Sequence, residues 1–309
     1  MLRDLNEEDR GAYFRGVQPI WGGGLAPERF VDFQRRLADS REAARRYRLL
    51  GLFEGPRLLS AMKAYELGGS FANAPLRLLG IGAVFTPPPL RRNGHARRML
   101  EVVIDDYRAR GFDAALLFSD IGAGYYERLG FQVLRSEECS AEASQLPLGG
   151  EAHPAAPGDE AALARVFARS RSPAGSLALE RDGWVLRFQL RRLRELARAR
   201  GVGEPEWGIR IEQPQGEAAA MLRLSRDAVD VLDAGWTSEA LREPLLASLR
   251  DFLLRSGRTH LRLWPAHQLR GLFEPQPRPS ALTMIAPLQP SARLPEAGSP
   301  TDLTLLDHI

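Results

Sequence analysis

The chain is poor in the residues that staple folds or bind metals. It has one cysteine, Cys139, in 309 residues, so no internal disulfide can form, and a reducing compartment, the cytoplasm, is expected. Nothing near Cys139 suggests an activated nucleophile. Of five histidines, His153, His260, His267 and His308 show no metal-ligand spacing, and no metal is expected. Lysine is nearly missing: Lys63 is the only one, and the other basic residues are arginines interleaved with Glu and Asp. With a net charge of +3 and no basic stripe, nucleic-acid binding is not expected. No run of about 18 apolar residues occurs, so no membrane span is expected. The N-terminus MLRDLNEEDR is too acidic for a secretory signal. There is no Walker loop and no Gly-x-Ser-x-Gly elbow, and Gly80-x-Gly82 has Phe85 where a dinucleotide turn needs a third glycine.

The sequence does contain one ordered block, Leu78 to Phe131. Leu78 to Phe85 (LLGIGAVF) reads as a strand buried on both faces, stopped by Thr86 and three prolines. Arg91-Arg92-Asn93-Gly94-His95-Ala96 then opens a helix with Ala96, Met99, Leu100, Val103 and Tyr107 on one side. A helix N-terminus presents unpaired N–H groups and partial positive charge, Gly94 permits close approach, and arginines hold phosphate in bidentate geometry. Gly111 ends the helix, Ala114 to Phe118 is a second strand, and Gly122 to Phe131 carries Tyr125 and Tyr126 before Leu129-Gly130-Phe131.

The pattern strand–Arg91-x-x-Gly94-x-Ala96–helix–strand–Tyr125-Tyr126-Glu127-Arg128-Leu129-Gly130-Phe131 resembles the GNAT family of acyl-CoA N-acyltransferases. That resemblance implies an α/β (α+β) fold: a mixed, mainly antiparallel sheet flanked by helices. It implies acetyl-CoA as co-substrate, its pantetheine arm pairing with Val84, Phe85 and Thr86. Its pyrophosphate would rest on Arg91, Arg92, Asn93, Gly94, His95, Ala96 and Arg97. Tyr126 takes the family position of the general acid: a phenol of pKa about 10 can protonate a leaving thiolate of pKa about 8.5. Tyr125 is expected to pack.

The base is open at this point. Glu66, late in a strand, occupies a position where many GNAT enzymes carry a base or substrate anchor. Asp120, directly after a strand, competes with it and suits a cationic amine. Relatives with tandem domains offer a third choice, the terminal carboxylate, here of Ile309, and a water relay is a fourth. His95 is expected to face the helix core and is set aside.

Along the chain, helices are expected from Glu7 to Val17 and from Pro27 to Asp39, joined by Trp21-Gly22-Gly23-Gly24. Tyr47 to Phe53 and Leu58 to Leu67 read as a hairpin, with Gly68-Gly69 ending the second strand. Composition shifts after Ser136, placing a boundary near residues 145–157. The expected domains are a catalytic one over 1–145, a second over 151–290 and a tail over 291–309. Within the second, a shift of 146 residues lays Leu245, Leu246, Leu249 and Leu253 on Met99, Leu100, Val103 and Tyr107. Gly257 then falls on Gly111. Thr237 and Ala240 replace Arg91 and Gly94, so a degenerate second GNAT-like domain is expected.

The leading expectation is an N-acetyltransferase in which a primary amine attacks the thioester directly. The acceptor could be a small molecule or a protein amine. The rival is a non-catalytic acyl-CoA sensor with a partner-binding second domain.

Overall fold

The computed structural model describes residues 1–150, 152–156, 158–170 and 175–308. Its first half contains β1 (Leu2–Asp4), α1 (Glu7–Trp21), α2 (Pro27–Ala38), β2 (Tyr47–Glu54), β3 (Arg57–Phe71), β4 (Ala74–Phe85), α3 (His95–Ala109), β5 (Ala114–Ser119), α4 (Gly124–Glu127) and β6 (Gln132–Val133). Asn6 starts α1 by accepting the Asp9 amide at 2.8 Å. Glu7, Glu8 and Asp9 follow in the first turn, where the helix dipole favours negative charge. The β3 strand continues through Gly68-Gly69 to a turn at Ala72 and Asn73, both with positive φ. The glycine pair therefore does not end the strand. It admits a crossing segment instead: a Cβ on Gly68 would lie 2.1 Å from the Glu180 carboxylate.

The second half contains β7 (Glu137–Glu142), β8 (His153–Pro154), α5 (Glu160–Arg169), β9 (Ala178–Leu179), α6 (Gly183–Arg200), β10 (Gly208–Gln213), β11 (Gly216–Leu224), β12 (Ala228–Trp236), α7 (Arg242–Arg255), β13 (His260–Leu263), β14 (Pro275–Pro277) and β15 (Leu282–Pro287). Two sheets result. The first runs β1-β2-β3-β4-β5-β15-β6, with β9 beside β3, and the second runs β14-β7-β13-β12-β11-β10-β8. Each is antiparallel except for one parallel pair, β4–β5 in the first and β12–β13 in the second.

The sheets exchange strands across the expected boundary. β15, from the C-terminal part, pairs residue for residue with β5 and also with β6. β7, from the N-terminal part, pairs with β13 and β14. The 146-residue repeat is visible in space: α7 and β13 fall where α3 and β5 do, and Gly111 and Gly257 both adopt left-handed φ, 77° and 65°.

The apolar core has three parts. One lies between α3 and the first sheet, one between α7 and the second sheet, and a large shared one joins α1, α2, α5, α6 and the C-terminal segment between the sheets. The C-terminal segment is fastened there by Arg181, whose guanidinium bonds Asp233, Asp307 and Thr304, all buried. Among the described residues no helix is long and apolar enough to cross a membrane.

Candidate active site

Parallel pairing of β4 with β5 runs from Leu78–Ala114 to Ile81–Leu117 and then stops, while both strands continue. A bulge helps β4 turn away. Ala61 pairs with Phe85 and Lys63 with Gly82, leaving one extra residue on β4, and Ala83 there has φ 45°. The Tyr13 hydroxyl, from α1, holds the Ala83 carbonyl at 2.7 Å. A wedge therefore opens through the sheet, with a different surface on each face.

On the α3 face lies the arginine loop. Arg92 (φ 66°) and Gly94 (φ 76°) are both left-handed, which curls the loop before α3. The first α3-type bond is Arg98 N–H to Gly94 O at 2.9 Å. Among the described residues, no acceptor takes the amides of 92–97. Arg91, Arg92, Asn93, Gly94 and Arg97 are exposed around them, whereas His95 and Ala96 are half-buried. The Arg91 Nε bonds the Thr86 carbonyl at 3.1 Å, and Arg97 pairs with Glu101 at 2.8 Å. Six free amides beside guanidinium groups fit a diphosphate.

Tyr126 stands on the same face, in the core that contains Val84, Leu90 and Leu117. Its ring lies edge-on to Tyr125 at 5.0 Å and to Phe131 at 5.9 Å. Burial pushes its phenol up to about 12, so it stays protonated at neutral pH. Phe85 points the other way, toward Tyr13, and a Cβ on Gly16 would meet its ring at 2.5 Å. The Thr86 hydroxyl lies 3.2 Å from Ser60 Oγ.

On the opposite face the wedge opens into a cavity of about 280 Å³ between the two halves of the chain. Val17, Leu25, Phe30, Phe33 and Leu196 supply apolar wall, and Lys63, Asp120, Arg192, Arg200 and His308 supply polar groups. The Lys63 Nζ donates to Gln34 Oε1 at 2.9 Å, and burial together with Arg192 pulls its ammonium down to about 7. Arg192 donates to the His308 carbonyl at 3.2 Å, and its guanidinium too is pulled down by burial. Burial and neighbouring arginines push His308 down to about 4, leaving it neutral.

The structure brings only some of the expected groups to this cavity. Asp120 lines it, accepting from Trp21 Nε1 at 3.4 Å and from the Ala281 amide at 3.1 Å. Glu66 is a correction. Side chains alternate along a strand, and Glu66 falls on the α3 face, where it pairs with Arg110, away from the cavity. Ile309 lies outside the described residues. Lys63 and Arg192 were overlooked as site residues. The available signal was a lone lysine inside the apolar run LLSAMKAYEL.

The second sheet has the same opening and none of the equipment. β12 also bulges, between Val231 and Asp233, and leaves β13 after Asp230. The connection to α7 spans 237–241 against 86–94 in the first half, and it carries Glu239 and no arginine. Gln268 closes the end of β12, its side-chain amide accepting from Trp236 N–H at 2.9 Å and donating to Trp236 O at 3.0 Å.

Comparison with known proteins agrees. Residues 2–134 match the acetyltransferase (GNAT) domain family. A probable N-acyltransferase of unknown function from Enterococcus faecalis V583 superposes with TM-score 0.67 at 14% identity, covering 94% of this chain and 72% of that one. A GCN5-related N-acetyltransferase from Kribbella flavida gives 0.66 at 18% identity, over 92% and 70%. A tandem GNAT protein from the clavulanic acid biosynthesis pathway gives 0.50 at 11% identity, over 94% and 99%. No curated protein sequence matches the chain. Residues 2–134 are thus a GNAT acetyltransferase domain, within a tandem GNAT-like fold.

Proposed function

We propose that this chain, an acyltransferase by its GNAT domain, moves an acetyl group from acetyl-CoA to a primary amine by direct attack. The observation that carries this reading is the wedge itself. It separates a loop of free amides and arginines, with Tyr126, from a cavity on the other face. A thioester passed through such an opening would meet its acceptor away from bulk water.

The roles follow from position. The amides of 92–97 with Arg91, Arg92 and Arg97 hold the diphosphate. The strand end Val84-Phe85-Thr86 lies alongside the acyl arm. The neutral amine attacks the thioester carbonyl, a C–N bond forms and the C–S bond breaks. The amine proton leaves to a base, and Tyr126 protonates the departing thiolate. Glu66 is paired with Arg110 and does not line the cavity, so it does not suit the base. Asp120 fits better, directly or through water.

Tyr126→Phe tests the assignment. Turnover is expected to fall about 100-fold with coenzyme affinity nearly intact. Unchanged turnover across several amines removes Tyr126 from the role. The sensor reading predicts tight acetyl-CoA binding with no thiol release for any amine.

A further inference from the structure

Among the described residues, the cavity on the acceptor side carries more positive charge than its walls neutralise. Lys63 comes from β3 of the first half and Arg192 from α6 of the second, and each makes one hydrogen bond, to an uncharged oxygen. Among the described residues no carboxylate lies within ion-pair distance of either. Arg200 adds a third cation at the wall. The one carboxylate among the described lining residues, Asp120, already accepts from Trp21 and Ala281. His308 is neutral, so it adds no charge of either sign.

Removing a cation from water without a counter-charge is expensive, and buried charges are ordinarily paired. Two uncompensated cations contributed by different halves of the chain, facing one cavity, are what an anion-binding site looks like before its ligand arrives. The cavity volume, about 280 Å³, is at the small end of ligand pockets. Trp21 in its wall is 39% exposed and bonds Asp120 through its indole N–H.

We propose that the acceptor is a small amine bearing an anionic group, a carboxylate or a phosphate, which Lys63 and Arg192 bind together while an apolar portion fills the wall formed by Phe30, Phe33 and Leu196. This rests on the acetyl-transfer reading for its direction and deepens it. The anion anchors one end of the acceptor, leaving the amine to face the wedge. Polycationic acceptors, such as polyamines, are disfavoured by like charge.

The experiment uses the full chain and acetyl-CoA, following thiol release. The acceptors are apolar α-amino acids, their methyl esters, the corresponding decarboxylated amines, aminoalkyl phosphates and a polyamine. Binding of each is measured in parallel by calorimetry. The amino acids or the aminoalkyl phosphates are expected to exceed the esters and decarboxylated amines at least 30-fold in kcat/KM, and whichever leads identifies the anion. Arg192→Met and Lys63→Met are each expected to raise the acceptor KM at least tenfold, with acetyl-CoA affinity preserved and the melting temperature of the ligand-free protein not lowered. Equal or better turnover with esters or polyamine overturns the proposal while leaving acetyl transfer intact. Tight binding of the anionic amines without thiol release supports the anion site and instead overturns the acetyl-transfer reading. If neither anionic class binds, the proposal fails.

Discussion

In the first sheet the space beyond Ile81 and Leu117 leads into a cavity holding Lys63 and Arg192 with no acidic partner among the described residues. In the second sheet the matching space beyond Asp230 and Arg262 is filled from within. Arg181 bonds Asp233 of β12 and Asp307 of the C-terminal segment, both fully buried, and Gln268 satisfies both backbone groups of Trp236. Arg181 and Arg192 lie eleven residues apart on the same stretch of chain, yet one is completely compensated and the other meets no carboxylate among the described residues. One scaffold, duplicated, has put its internal charge to two uses. Where the counter-charge comes from the protein the opening is sealed, and where it does not the opening is left for a ligand.

The sharpest way to break this comparison is to remove Arg181. Arg181→Ala takes from the buried Asp233 and Asp307 the guanidinium they share, and a broken buried pair costs about 3–5 kcal/mol. Chemical denaturation should register that loss. A change under about 1 kcal/mol would mean that Arg181 is no more structural than Arg192, and the contrast would fall.

A second, smaller effect concerns Gln268. Gln268→Ala strips the Trp236 N–H of its partner and leaves the carbonyl the Ser170 hydroxyl at 3.3 Å, so one buried group goes unsatisfied at a cost of about 2 kcal/mol. Acetyl-CoA affinity should not change, because the proposed diphosphate loop belongs to the other half. A second coenzyme equivalent appearing by calorimetry in this variant would show that Gln268 alone had been blocking a latent site.

Much of this was legible in the sequence, because local signals are strong where backbone chemistry is special. Gly94 and Gly111 mark left-handed residues at the two ends of α3, and the 146-residue repeat of helix, glycine and strand survives the loss of the phosphate loop. The legible part stops where partners are distant. Leu282 to Pro287 looks like part of an ordinary second domain. Only its pairing with β5, some 165 residues earlier in the chain, shows which sheet it completes. Glu66 was misplaced for a related reason. Its neighbourhood in the sequence is right for a site, but a strand sends adjacent side chains to opposite faces, and a bulge nearby decides which face is which. Arg192, on an arginine-rich helix, cannot be told from Arg191 or Arg194 without knowing which of them meets Lys63.

The third prediction concerns pH. Free Lys63 titrates near 7, and a bound anion beside it must raise that value. Below pH 7 the ammonium is present in both states and affinity for the anionic acceptor is full. Above it the ligand must bring a proton in, so affinity should fall by at most tenfold per pH unit until the bound value is passed. The groups around Lys63 do not imitate this. Gln34 on α2 is neutral, burial keeps the phenols of Tyr13 on α1 and Tyr65 on β3 protonated, and the Arg192 guanidinium on α6 is pulled down from its ordinary value by burial. Asp120 after β5 and His308 in the C-terminal segment face the same cavity, and a His308 pushed down to about 4 titrates well below this range. Acceptor affinity that stays flat from pH 6 to 9 would show that Lys63 is not part of the anion site.

The smallest effect is the most discriminating, because its sign differs between the two openings. An uncompensated cation in the empty protein works against folding. Its folded value, about 7, is below its ordinary value of 10.5, so between those limits the unfolded chain holds a proton that the folded chain has released. Stability should therefore rise with pH across that window, and the penalty is complete at and below pH 7. Lys63→Met removes the charge and retains an unbranched apolar chain, so it should stabilise the ligand-free protein by about 1 kcal/mol, or about 2 °C in melting temperature, at pH 7. The advantage over the parent should shrink toward zero by pH 10.5, and an anionic acceptor should reverse it by stabilising only the parent. Replacement of Arg181 destabilises at every pH in that range. A Lys63→Met protein that melts below its parent at pH 7 would mean that the fold already pairs Lys63 as it pairs Arg181, and the acceptor would then owe no counter-charge to the site.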